Sequence, residues 1–132
     1  MKSKTFGILQ TIFAVGVVLW WAAYFAFPHP GGDIQVYESA FPLADLAWLT
    51  PLMVQAARAN FRGSRFAPLW TAAAGGVCVF LGTLDFSFNI QHGVYALSLS
   101  SALLNGFINA ASIAFGLLSI AWSKRRLSGQ AQ

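Results

Sequence analysis

Four carboxylates, two histidines and a few amides carry most of the polar chemistry open to this chain. Asp33 and Glu38 fall in a short polar stretch, Asp45 lies near the start of the apolar run that follows, and Asp85 lies near the end of the next. His29 and His92 belong to the polar stretches on the same side, with Asn89 and Gln91 beside the second. Asn105 and Asn109 are four residues apart, so both point to one side of a helix. Glu38, Asp45, Asp85 and His92 offer oxygen and nitrogen atoms that could hold a divalent cation or pass protons, with Asn105 and Asn109 around them. The spacing selects no metal and names no cofactor. There is no His-x-x-x-His or Glu-x-x-His, and the single Cys78 excludes an intramolecular disulfide and a cysteine-based zinc site.

The two central acids differ. Asp45, in the first turns of a predicted helix, is favoured by the positive end of the helix dipole, a structural reading that stands beside its reading as a ligand. Asp85 approaches a predicted helix end of the opposite sign, and no Lys or Arg falls on its side of the chain. It must be protonated, bound to His92 or His29, hydrogen-bonded to Asn105 or Asn109, or near a bound cation. Nucleophilic catalysis has little to build on: Ser39, Ser87 and the serines between 98 and 101 have no base in register, and neither a phosphate loop nor a dinucleotide fingerprint is present.

The elements that position these groups follow from composition. Of the 132 residues 57% are hydrophobic and only 9% charged, against about 25% charged in a soluble domain. The mean hydropathy is +0.61. Four stretches, at about 6–27, 41–59, 66–88 and 99–122, are long enough to cross a bilayer, for which roughly 20 apolar residues suffice. The reading is an all-α integral membrane four-helix bundle, one domain over 1–132, made of two antiparallel hairpins. All eight basic residues (Lys2, Lys4, Arg58, Arg62, Arg65, Lys124, Arg125, Arg126) fall on one side of it. The positive-inside rule makes that side cytoplasmic and puts both termini there. The first segment, long for a signal peptide, reads as a retained helix with Trp20, Trp21 and Tyr24 at its outer interface. Pro51 should kink the second, with Thr50 or a neighbouring helix at hand for the freed carbonyl.

Small residues recur in the third segment (Ala72 to Gly76, Gly82) and at Ala102, Gly106, Ala110 and Ala114 in the fourth, a spacing that lets helix backbones approach in lipid. The stripe serves packing of the third and fourth helices or contact with a second copy. Ile34-Gln35-Val36-Tyr37 has an echo in Ile90-Gln91-His92-Gly93-Val94-Tyr95, as a parallel repeat of two hairpins would produce. Twelve Phe suit lipid contact or an apolar pocket with the acids at its mouth.

The run Glu38-Ser39-Ala40-Phe41-Pro42-Leu43-Ala44-Asp45, followed by Gly82-Thr83-Leu84-Asp85 and His92-Gly93-Val94-Tyr95, resembles a set of small uncharacterised four-span bacterial membrane proteins. That resemblance implies topology and brings no activity. Small multidrug transporters share the helix count, but their pattern has a Glu in the first helix and this chain has no acid between Phe6 and Phe27.

The expectation is a bacterial inner-membrane protein with an outward-facing acidic, aromatic-rimmed pocket for a cation, proton or small amphiphile. The alternatives are an accessory subunit of a larger membrane complex and, third, a lipid-modifying enzyme. Its partners would be membrane lipids and either further copies or a larger complex, not nucleic acid.

Overall fold

The computed structural model describes residues 2–27 and 32–129. The turn signals Pro28, Pro30 and Gly31, and His29 with them, lie outside the described residues. Every regular element described is helical: α1 (Ser3–Ala26), α2 (Asp33–Glu38), α3 (Phe41–Ala44), a π-helical turn (Asp45–Leu49), α4 (Thr50–Phe61), α5 (Ala67–Gln91), α6 (Val94–Leu97) and α7 (Leu99–Ser128). Three of them, α1, α5 and α7, are long and apolar enough to cross a membrane. With 24, 25 and 30 residues they measure about 36, 38 and 45 Å. The hydrocarbon layer is about 30 Å thick, so α7 is long enough to carry its basic end beyond it.

The second apolar segment is helical throughout but is not one α-helix. The Thr50 N–H bonds to the Asp45 carbonyl, five residues back instead of four. The cause stands next door. Pro51 has no N–H for the Ala47 carbonyl, and its ring would press on that carbonyl in a regular helix; widening the preceding turn relieves both. The expected kink therefore takes the form of a π turn.

The chain divides into two compact units, Met1–Thr71 and Ala72–Gln132. In the first, α1 packs against α4 and the π turn. The buried positions on α1 include Gly7, Gln10, Ala14 and Trp21, and those opposite are Leu49, Met53, Ala56 and Asn60. Both sets step by three, four or seven residues, the seam spacing of antiparallel helix pairs. Gly7 is required there: a Cβ would lie 3.2 Å from the Phe61 ring and 3.3 Å from the Ala57 carbonyl oxygen. Trp21, expected at the interface by its place near a helix end, is instead a buried seam residue, whereas its neighbour Trp20 is exposed.

In the second unit α5 and α7 approach still more closely. A Cβ on Gly75 would fall 2.7 Å from Ser119 Cβ and 2.8 Å from the Gly116 oxygen, and one on Gly116 would meet the Gly75 oxygen at 2.6 Å. Further along, Gly82 faces Ser112 and Ile113. The seam on α7 thus runs through Asn109, Ser112, Gly116, Ser119 and Ser123. This differs from the stripe expected at Ala102, Gly106, Ala110 and Ala114: Gly106 has open space around it, and Ala110 and Ala114 are exposed. A spacing of four drifts around the helix, whereas the observed alternation of three and four stays on one line. Gly116→Leu is therefore expected to lower the stability of the detergent-solubilised protein, read from its SDS-unfolding midpoint, by about 2 kcal/mol or more. Gly106→Leu should stay within about 0.5 kcal/mol of the parent.

Candidate functional site

Asp85 stands on the α5 seam that begins at Gly75, Cys78 and Gly82, so its side chain is directed at α7 and not away from the unit. Asn89, one turn later, donates from Nδ2 to Asp85 Oδ2 at 3.2 Å, and Asn109 on α7 is also hydrogen-bonded to this carboxyl. Asn109 Nδ2 donates as well to the Tyr95 hydroxyl oxygen at 2.8 Å. Asn89 and Asn109 are 3% and 1% exposed, so each amide spends its donors on protein. Among the described residues no basic side chain pairs with Asp85.

Local backbone chemistry puts Tyr95 in place. Gly93, at φ +64°, ends α5 in a left-handed conformation that a side chain would resist, and its carbonyl accepts from Ala96 N–H. Ser98 then caps α7, its hydroxyl accepting from Ser101 N–H at 3.0 Å. Ser101 Oγ donates in turn to the Val94 carbonyl at 2.9 Å, tying α6 back onto α7. The Tyr95 ring lies 6.0 Å from that of Phe86, an aromatic wall beside the amide cluster.

The other expected members are less central. Asn105 donates to the Ser101 carbonyl and hydroxyl, within its own helix. His92 is exposed and stacks on Phe88 with ring centroids 4.1 Å apart. Asp45 and Glu38 belong to the first unit. There the Trp21 indole N–H donates to Asp45 Oδ2 at 2.8 Å, so this acid has an uncharged partner as well as a helix start. Glu38 lies within electrostatic reach of the Tyr24 hydroxyl. No group of three or more His, Cys, Asp or Glu among the described residues is placed to hold a metal ion.

A second polar cluster was not expected at all. Asn60 Nδ2 donates to Gln10 Oε1 at 2.9 Å and to Thr71 Oγ1 at 2.9 Å, with the Ala56 carbonyl at 3.1 Å as a further acceptor. Gln10 Nε2 donates to Thr71 Oγ1 at 3.1 Å, and Ser3 Oγ donates to Asn60 Oδ1 at 2.6 Å. Gln10, Asn60 and Thr71 are essentially inaccessible. The network joins α1, α4 and the N-terminal part of α5. Its trace in the sequence is the one amide, Gln10, inside a mostly apolar helix.

No family model matches the chain, and no curated protein or solved structure matches it either. What the sites do must be judged from their chemistry. Two neutral amides donate to the Asp85 carboxyl and one of them reaches on to the Tyr95 phenol; the Gln10–Asn60–Thr71 cluster ties three helices together. Asn60→Leu would strip partners from three buried groups at once and is expected to cost about 1–3 kcal/mol in the same SDS titration. Asn105→Leu, which breaks bonds only within a half-exposed turn, should cost less than half as much.

Proposed function

We propose that the protein is a small membrane protein that binds a proton or a small cation at Asp85. The observation carrying this reading is a carboxyl on the inner seam of an apolar helix, hydrogen-bonded by the amides of Asn89 and Asn109 and without a basic partner among the described residues. An ionisable group within a membrane segment is expensive, by about 2.5–3.5 kcal/mol at the helix centre on insertion scales, and it persists where it has a use. Asn89 and Asn109 donate to the carboxyl but carry no charge, so neither stands in for the proton or cation that would balance it, as an arginine would.

The arrangement around it in this reading has four crossings, with the run from Phe41 to Phe61 joining the three long helices. At the usual rise that helical run covers about 30 Å, one hydrocarbon thickness. The grouping of Lys2 and Lys4, Arg58, Arg62 and Arg65, and Lys124, Arg125 and Arg126 supports both termini on the cytoplasmic side of a bacterial inner membrane. Asp85, Tyr95 and Asn109 then lie toward the outer face.

A second reading, docking to a larger membrane complex or another copy, draws on the unspent face of α7, where Gly106 meets nothing and Ala110 and Ala114 are exposed.

Asp85→Asn keeps the shape of the side chain and removes its charge. The thermal midpoint of the purified parent should shift with added sodium or potassium or with pH, and Asp85→Asn should abolish that shift while Asp45→Asn retains it. An identical response from the parent and Asp85→Asn would eliminate the Asp85 site. Separately, alkaline phosphatase fused after Gln132 should be inactive and a fluorescent protein at the same place bright; the reverse pattern would invert the topology.

A further inference from the structure

Between the end of α4 and the start of α5 the first unit has a depression of about 240 Å³. Arg58 and Arg62, one helical turn apart, line it together with Gln55, Ser64, Phe66 and Trp70. We infer that this depression holds the phosphate of an anionic phospholipid headgroup, with Arg58 and Arg62 as its charged ligands.

The charge there is unanswered. Neither guanidinium forms an ion pair among the described residues, and the nearest acid in sequence, Asp45, stands at the far end of the same helical run. Two planar donor forks side by side match the oxygens of a phosphate better than they match single carbonyls. Neutral donors complete the lining. The Ser64 oxygen accepts from the Phe66 N–H at 3.2 Å, which leaves its own proton to give, and the Trp70 indole N–H has no acceptor in the protein among the described residues. The positive end of the 25-residue α5 adjoins the same place and adds to the field felt by an anion.

The apolar part of the lining decides between a lipid and a free anion. Phe66 is 49% exposed, with the Arg65 guanidinium 4.7 Å from its ring centroid, and Leu69 on α5 is 58% exposed, so apolar surface borders the arginines. A phospholipid uses both parts, its phosphate on the arginines and the start of its acyl chains along that surface; inorganic phosphate uses only the first. The inference rests on the membrane reading above but not on Asp85.

The full-length protein, reconstituted in vesicles of three parts phosphatidylcholine to one part phosphatidylglycerol and gently extracted, would be examined by native mass spectrometry for retained lipid. The parent should keep one phosphatidylglycerol. The double change Arg58→Gln with Arg62→Gln should lower that retention by about tenfold or more, and Trp70→Phe, which deletes one donor, by roughly threefold. Lys124→Gln with Arg125→Gln removes the same charge elsewhere and should leave retention unchanged. Equal loss in the two double variants, no loss in the arginine variant, or displacement of the lipid by millimolar inorganic phosphate would overturn the assignment. A parent chain that fails to enter vesicles would remove the membrane reading itself. Lipid retention lost from the arginine variant alone, in vesicles that both variants enter, is the expected result.

Discussion

Hydrocarbon offers no hydrogen bonds, so a polar group carried into a membrane segment must be answered by another part of the protein. The arrangement of both units follows from that constraint. In the first, Asn60 brings together side chains from α1, α4 and α5, and the Trp21 indole meets Asp45. In the second, Asn109 serves Asp85 and Tyr95 together. None of these bonds is strong by itself, since interhelical hydrogen bonds in membranes average less than about 1 kcal/mol. Their force is in the alternative: an amide with no partner in lipid costs several times more. They fix which helix faces meet more firmly than apolar contact can, because lipid competes on equal terms for Leu and Phe and not at all for an amide.

Small residues do the complementary work. Gly75 and Gly116 bring two backbones together where any side chain would collide, and Gly7 does the same for α1 and α4. Close approach also brings short side chains into reach of the opposite helix. Asp85 is able to meet Asn109 because the seam leading to it is paved with Gly75, Cys78 and Gly82; larger residues would hold the helices apart and leave a gap for solvent or lipid.

Hydropathy was legible, and so were the helices, because a long apolar run has only one way to satisfy its backbone in lipid. The starts of α3 and α7 fall where the segments at 41 and 99 were expected, α1 ends within one residue of its expected end, and α5 and α7 run on by three and six residues. The amide partner of Asp85 was legible too, since Asn109 was one of two named donors. Seam phase was not: a stripe with period four and one alternating three and four look alike over a few turns, and only contact separates them. Gln10 was hidden for a related reason, since its meaning depends on Asn60 and Thr71, fifty and sixty-one residues away. Arg58 and Arg62 signal topology and contact with anionic head groups in the sequence, but the depression they line does not show there, because charge is visible in a sequence and concavity is not. The echo of Ile-Gln and Val-Tyr falls in unlike places, in α2 in one case and across the end of α5 into α6 in the other.

The π turn at Asp45–Leu49 holds more residues per revolution than the α-helix around it, so it amounts to one surplus residue wound into the helix. Everything before it, including α3, is thereby rotated by roughly 100° relative to α4. Phe41 follows that rotation, and the Tyr37 ring of α2 meets it with centroids 5.0 Å apart. A chain lacking one residue at this place would keep a helix, since plain α winding would absorb the loss, but it would present Phe41 and the short α2 on a different side. The proline that forced the surplus turn thus also acts as a dial, setting the direction in which the preceding polar segment leaves the helix.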